Sequence, residues 1–155
     1  MQTIETFFAQ YQAAWRANSA EQIESFWNTD ETGPFYKAEE IDEIMTDWDQ
    51  LRAYWQHNEG FNETNELSFS DFRSQLAGAD RLLVGMRMRW DIKFAEDARL
   101  IDGSAFEWAG KKMGGENHVI ALLKKTPDDL KLAAWVEAPN APILYMADLY
   151  MKNAR

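Results

Sequence analysis

The chain has 155 residues, the length of one domain, and 46% of them are hydrophobic, which is enough for one sizeable core. Its 26 acidic and 16 basic residues give a net charge of −10, so binding to nucleic acid or to an anionic membrane is not expected. Cysteine is absent and histidine occurs twice, which excludes disulfides, thiol catalysis and Cys-ligated zinc and leaves a His-rich metal site without ligands. No secretory signal and no apolar run of roughly 18 residues is found, so we expect a cytoplasmic protein.

The sequence begins with two predicted helices. Apolar side chains at helical spacing predict one buried stripe on the first helix. That stripe consists of Ile4, Phe7, Phe8, Tyr11, Ala14 and Trp15. Ser19 with Gln22 three residues later has the pattern of a capping box, which predicts a second, short helix through Trp27.

A short strand is predicted at Pro34–Ala38, before a third helix capped by Thr46 that ends near Gly60. The predicted buried face of this helix is Trp48, Leu51 and Trp55. At the other end of the sequence, Ile143–Met151 is predicted to form a short apolar helix with Pro142 near its first turn.

From about Asn65 the hydrophobic period changes from 3.6 to 2, which indicates strands. Alternating apolar side chains predict a long strand at Leu82–Phe94, joined by a turn at Leu76–Asp80 to an earlier strand near Leu67–Gln75. Further strands are predicted at Ala105–Lys112, His118–Lys125 and Leu130–Ala138. Helices followed by a meander of strands predict an α+β fold, with an antiparallel sheet wrapped over the helices.

The common catalytic motifs are absent from the sequence. It contains no Gly-rich phosphate loop, no nucleophile elbow and no HExxH metal motif. Neither His57 nor His118 lies in the context of a catalytic triad. Any chemistry therefore falls to carboxylates, Tyr, Lys, Arg or a single His, and we expect no bound cofactor and no metal.

Four segments carry a family resemblance. They are Ala9–Trp27, the helix Asp47–Trp55, the hairpin Leu76–Val84 and the closing strand Ala133–Pro139. In this order they resemble the nuclear transport factor 2-like superfamily, which includes ketosteroid isomerase, scytalone dehydratase and SnoaL-like polyketide cyclases. The resemblance covers residues 4–140 and implies a single domain over 1–155. That domain would be a strongly curved antiparallel sheet forming a cone, packed against three N-terminal helices, with a pocket for a hydrophobic ligand and commonly a homodimeric assembly.

The family's known catalytic residues are only partly matched. Tyr11 aligns with the tyrosine of ketosteroid isomerase that helps to stabilise an enolate oxygen. The general-base Asp and the protonated Asp of that enzyme fall near 35–38 and 120–121, where no carboxylate stands. Glu39 and Glu40 are close to the first position, and His118 is close to the second. The resemblance therefore implies the scaffold, without the isomerase's own catalytic site.

Five ionisable or hydroxylic residues are candidate catalytic groups: Tyr11, Tyr36, Glu40, His118 and Glu137. The two tyrosines are either core residues or donors to developing negative charge. Glu40 either belongs to a solvated charged run or points inward as a general base with a raised pKa. His118 is either a hydrogen-bonded core residue or a catalyst, and Glu137 at a strand end either faces the pocket or faces solvent.

Large apolar side chains are candidate substrate-binding residues, although the same pattern fits plain packing. They are Trp15, Trp48, Trp55, Met88, Trp90, Trp108 and Trp135. We expect a cofactor-independent lyase, dehydratase or isomerase that acts by acid/base chemistry on a small hydrophobic, aromatic or polycyclic molecule. The alternative is a non-catalytic module that binds a hydrophobic ligand or serves as a dimeric association domain.

Overall fold

The computed structural model describes residues 2–30, 33–141 and 143–154, and it has the predicted α+β class. In chain order the elements are α1 (Ile4–Arg16), α2 (Ala20–Glu24), β1 (Phe35–Lys37), α3 (Trp48–Phe61), β2 (Asn62–Leu76), β3 (Arg81–Phe94), β4 (Lys112–Lys125), β5 (Leu130–Pro139) and α4 (Ile143–Asn153). The prediction for Pro142 lies outside the described residues. None of the described helices has the length and apolar character needed to cross a membrane.

The five strands form one open sheet in the order β1-β5-β4-β3-β2. Strands β2 to β5 form antiparallel pairs, as predicted, whereas β1 runs parallel to β5. The sheet is therefore mixed, and the prediction of an antiparallel sheet holds for four of its five strands. β1 and β5 are far apart in the sequence, so no hairpin turn joins them and requires the pair to be antiparallel. Two register shifts in β2, between Asn62 and Thr64 and between Ser70 and Arg73, are of the kind that bends a strand.

The helices begin where side chains can accept the first free backbone N–H groups. Ser19 Oγ accepts the N–H of Gln22 at 3.3 Å, which confirms the predicted start of α2. Helix α3 begins one residue later than predicted, because the carboxylate of Asp47, rather than Thr46, accepts the N–H groups of Asp49 and Gln50.

The cap of α2 gives a modest stability prediction. We expect Ser19→Ala to lower the free energy of unfolding by about 1 kcal/mol, because the N–H of Gln22 loses its acceptor. Urea denaturation followed by circular dichroism measures the change. An unchanged midpoint would mean that water replaces the cap at no cost.

The core lies between the inner face of the sheet and the helices. The predicted stripe of α1 is buried, and in β3 the alternation places Val84, Met86 and Met88 inward, as predicted. Opposite them, α3 contributes Leu51 and Trp55, whose side chains are almost completely buried.

The prediction of a strand at Ala105–Lys112 is wrong. Residues 95–111 form a loop instead, and the Phe106 ring in this loop lies 4.8 Å from the rings of both Phe61 and Phe94. Strand β4 begins at Lys112, earlier in the chain than the predicted start at His118, and ends at Lys125 as predicted. Its first part pairs with β3, and Gly115 lies opposite Trp90. A side chain at position 115 would place its Cβ only 3.0 Å from the Trp90 ring. Glycine therefore allows this indole to pack against the β4 backbone.

A bulge in β5 sets the direction of the residues that follow it. Leu123 pairs with Leu132 and Leu122 with Ala134, which leaves one extra residue, Ala133, between them. The extra residue shifts the alternation by one. Leu132 and Trp135 are therefore both buried, and the side chain two residues after Trp135 also points to the inner face.

Candidate active site

A cavity of about 590 Å³ lies between the inner face of the sheet, helices α1 and α3, and the loop 95–111, which is a volume suited to a small organic molecule. Most of its walls are apolar or aromatic: Trp15, Tyr36, Tyr54, Phe61, Leu67, Met88, Trp90, Ile92, Phe94, Leu100, Phe106, Met113 and Trp135. Its polar lining consists of Glu39, Glu40, Glu137, Asn58, Asn62 and Asn65. The lining is therefore mainly apolar and aromatic, with a smaller set of carboxylate and amide groups.

Among the carboxylates that line this cavity, Glu137 has the most strongly raised pKa. Its Oε1 accepts the indole N–H of Trp135 at 2.6 Å, and its Oε2 accepts the side-chain N–H of Asn117 at 2.9 Å. Burial raises the pKa of Glu137 to about 7, and the charges of Glu40 and Glu39 add to this effect, while the bond from Trp135 opposes it. The carboxyl group therefore exchanges its proton near neutral pH.

Asn117 is a buried residue that orients the Glu137 side chain through a hydrogen bond. It lies on the inner face of β4, is 1% exposed and also accepts the indole N–H of Trp90 at a long 3.4 Å. Trp90 and Trp135 thus both belong to the hydrogen-bond chain that ends on Glu137. This chain fixes the orientation of the carboxylate relative to the two indole walls.

Two tyrosines lie beside the carboxylates. The Tyr54 hydroxyl donates to Glu40 Oε1 at 2.6 Å, and the Tyr36 ring lies 5.5 Å from the Tyr54 ring. Burial is the largest effect on the pKa values of Tyr36 and Tyr54 and raises both well above the usual value, and the Glu137 charge raises them further. Both hydroxyls therefore stay protonated at neutral pH and act as hydrogen-bond donors.

Glu39 completes the acidic side of the cavity. It is half-buried, and burial, followed by the charge of Glu40, raises its pKa. Glu40 is exposed and lies at the mouth, so the carboxylates are graded from the mouth toward the interior.

Asparagines form a second polar side, at the junction of α3 and β2. The side-chain N–H of Asn62 donates to Asn65 Oδ1 at 2.9 Å, and Asn65 in turn donates to Asn18 Oδ1 at 2.6 Å. Asn18 donates to the backbone oxygens of Glu59 and Asn62. This chain ties α1 to the end of α3 and holds the asparagine side in place.

Seven of the residues proposed from sequence line the cavity together: Tyr36, Glu40, Glu137, Trp15, Met88, Trp90 and Trp135. Two of the predicted catalytic residues lie elsewhere. Tyr11 is completely buried behind the wall, with its ring 5.7 Å from the Trp135 ring. His118 is exposed on the outer face of β4, because Asn117, and not His118, is the polar residue that points inward.

Three of the predicted substrate-binding tryptophans also lie away from the cavity lining. Trp55 is 1% exposed and packs in the core beside Trp27. Trp48 lies near the start of α3, where the Arg52 guanidinium is 5.9 Å from its ring. Trp108 is half-exposed in the loop 95–111.

Sequence reasoning missed Asn117 and Tyr54 as site residues. The run of apolar residues after Asn117 hid which side of β4 points inward, and Tyr54 lies between the predicted apolar positions of its helix. Within residues 2–30, 33–141 and 143–154, no group of three or more His, Asp or Glu side chains is arranged to hold a metal ion.

Comparison with known proteins identifies the fold. No protein-family model and no curated protein sequence matches the chain. Among solved structures, a candidate dehydratase of the NTF2-like family from Streptomyces avermitilis is 14% identical with a TM-score of 0.68, over 88% of this chain and 93% of that one. A candidate scytalone dehydratase from Novosphingobium aromaticivorans is 9% identical with a TM-score of 0.70, over 89% and 82%.

A third similar structure is a hexachlorocyclohexane dehydrochlorinase (LinA) type 2, 8% identical with a TM-score of 0.64, over 87% of this chain and 81% of that one. Identities this low show the fold alone. Together with the open, bulged sheet and its helices, they confirm the resemblance seen in the sequence. The chain has the nuclear transport factor 2-like fold.

Proposed function

We propose that the protein is a cofactor-independent lyase that removes water, or a similar leaving group, from a small aromatic or polycyclic substrate. The observation that carries the proposal is Glu137, a carboxylate that exchanges its proton near pH 7 and faces an aromatic cavity. Solved structures with this fold include a dehydrochlorinase and two candidate dehydratases, and their names support the same reaction class.

The step that the residues support is a balanced elimination. Ionised Glu137 takes a proton from the carbon next to a carbonyl group, and the electron pair of that C–H bond forms the new double bond. The C–O bond at the next carbon breaks, and the leaving hydroxyl takes the proton from Glu137 and departs as water. The Tyr36 hydroxyl, kept protonated by its raised pKa, donates to the oxygen on which negative charge develops.

Turnover of a model compound tests the proposal. With 3-hydroxy-1-tetralone, a bicyclic β-hydroxy ketone, loss of water yields 1-naphthol, which is followed by its fluorescence. We expect formation of 1-naphthol faster than in protein-free buffer, with a rate that rises with pH and levels off above about 7, because Glu137 must be ionised to accept the proton.

The contrary outcome is equally clear. If the compound binds and no 1-naphthol forms above the buffer rate, and if proton exchange at its acidic carbon in D2O is also unaccelerated, the lyase proposal fails. The protein would then be the hydrophobic-ligand-binding module that the sequence left as the alternative.

We propose further that the protein is a homodimer, while its cytoplasmic location stays a prediction. The outer face of the sheet carries an apolar patch, in which the 53% exposed Ile120 pairs with Gly85 on one side and Val136 on the other. The next row of the patch pairs Leu83 and Ala134 with Leu122. A second copy of this face would cover it.

The assembly prediction is tested by mass. Light scattering at micromolar concentration is expected to give twice the mass of the chain, and Ile120→Lys is expected to yield monomers because it introduces a charge at the centre of the patch. Ile101→Lys, the same change at a 93% exposed isoleucine in the loop 95–111, serves as the matched control. A monomeric mass for the unaltered protein would contradict the proposal.

A further inference from the structure

We propose that the cavity selects substrates that carry a protonated amine next to their apolar body, and that Glu39 and Glu40 bind this ammonium group. This inference rests on the proposed function, since it names the substrate class of the same site. It follows from the charges, the aromatic faces and the depth of the cavity, taken together.

The charged side chains that line the cavity are all acidic. Three carboxylates, Glu39, Glu40 and Glu137, line it, and no Lys, Arg or His of the described ranges does so. Lys37, the nearest basic residue in sequence, directs its Nζ to the Ala38 carbonyl oxygen at 2.8 Å. An anionic substrate would thus meet uncompensated negative charge in a partly dehydrated space, whereas a cation would relieve the repulsion among the carboxylates.

The positions of the carboxylates separate two tasks. Glu137 accepts hydrogen bonds from Trp135 and Asn117 on its two oxygens, which suits a fixed base. Glu40 is exposed at the mouth and Glu39 is half-buried behind it, so both can contact a group that remains near water. An ammonium group there would leave the apolar body of the substrate pointing toward Glu137.

Aromatic faces line the same side of the cavity. Tyr36 and Tyr54 stand beside the carboxylates, with their rings 5.5 Å apart and tilted by 49°. Ring faces attract organic cations, and the effect grows when water is partly excluded. The Tyr54 hydroxyl also holds Glu40 in place by its 2.6 Å bond, so the anion is oriented before a ligand arrives.

Three naphthalene derivatives of matched shape test the charge preference by calorimetry. They are 2-(aminomethyl)naphthalene, 2-naphthalenemethanol and 2-naphthoate, which are cationic, neutral and anionic at pH 8. We expect the amine to bind about tenfold or more tightly than the alcohol, with the acid weakest, and the advantage of the amine to shrink between 20 and 500 mM NaCl.

The double variant Glu39→Gln/Glu40→Gln is expected to bring the amine and the alcohol to within about threefold of each other, while binding of the alcohol is retained. A glutamine oxygen at position 40 can still accept the Tyr54 hydroxyl, so the change removes charge and keeps shape. Glu43→Gln, which removes an exposed carboxylate outside the cavity lining, is the matched control and should keep the full preference.

The inference is overturned if the alcohol binds as tightly as the amine, if the preference survives the double variant, or if the amine does not bind at millimolar concentration. These results are distinct from a failure of the lyase proposal. A preference for the amine without formation of 1-naphthol from 3-hydroxy-1-tetralone would leave the charge selectivity standing and remove the catalysis.

Discussion

Replacing Glu137 with glutamine is expected to lower kcat/KM for the elimination by about 10²–10⁴-fold, the usual range for loss of a general base. Glutamine fills nearly the same space but cannot accept a proton from carbon. Because burial holds the pKa of Glu137 at about 7, the activity of the unaltered protein should follow a single ionisation with that midpoint, rising with pH. The variant should lose this ionisation from its residual pH profile.

The matched control for this variant is Glu43→Gln, which removes the same charge from an exposed position outside the cavity. It should retain full kcat/KM and the same pH midpoint. Circular dichroism of both variants checks that the fold is intact. Equal turnover by Glu137→Gln and by the unaltered protein would show that another group abstracts the proton.

Replacing Asn117 with leucine is expected to raise the pKa of Glu137 above 7, because the ionised carboxylate loses a buried hydrogen-bond donor. The midpoint of the pH–rate profile should move upward with it. Trp135 still donates to the other oxygen, so the base is kept and the rate at high pH should largely recover. This recovery distinguishes Asn117, a positioning residue, from Glu137.

The same variant has a signature in stability. The folded protein holds the Glu137 proton up to about pH 7, whereas the unfolded chain loses it near 4.5, so this group makes the fold less stable as the pH rises from about 4.5 to 7. At pH 5 the carboxyl group is neutral, so Asn117→Leu should cost only the hydrogen bonds that do not depend on its charge, including the one from Trp90. At pH 8 the loss should be about 1 kcal/mol larger in urea denaturation, because an upward shift of the pKa from about 7 makes ionisation of the carboxyl group in the folded protein more costly there.

Asn140→Leu is the matched control for this comparison. Asn140 also donates to a carboxylate, that of Glu116, at 3.2 Å. In contrast to Asn117 and Glu137, Asn140 is exposed and the Glu116 side chain is 39% exposed. Removal of that bond should give no difference between pH 5 and pH 8. A pH-independent loss of stability in Asn117→Leu would show that Glu137 is already ionised well below neutrality.

The elements with a clear period were predictable from the sequence. Alternation along β3 puts Met88 and Trp90 on one apolar face, and in the structure both line the cavity, whereas the sequence leaves the direction of Glu137 on β5 open. The signal worked in β3 because one face of most of this strand is apolar or aromatic and the other is mainly charged. It did not depend on knowing the partner strands.

The same reasoning failed on β4 for a physical reason. Residues 119–123 are apolar on both faces, since one face enters the core and the other contributes to the outer patch around Ile120. Alternation then carries no information about direction, so the sequence offers His118 as either a core residue or a catalyst and gives no sign that Asn117 points inward. Only the register with β3 and β5 shows that Asn117 points inward.

Tertiary contacts decided the other differences. Phe106 lies in a stretch with the composition of a strand, yet its ring packs between Phe61 and Phe94, and the backbone around it forms a loop. The pairing of Tyr54 with Glu40 joins residues 14 positions apart on different elements, and a single sequence contains no signal for such a contact.

The most direct test of the account is a carbon-13 NMR titration of the glutamate side-chain carboxyl groups, with Glu137 assigned by its absence in Glu137→Gln. A midpoint near 7 in the unaltered protein, moving higher in Asn117→Leu, is the predicted result. A midpoint near 4.5, the value of a solvent-exposed glutamate, would contradict it: the base at the centre of the cavity would then be an ordinary surface-like carboxylate.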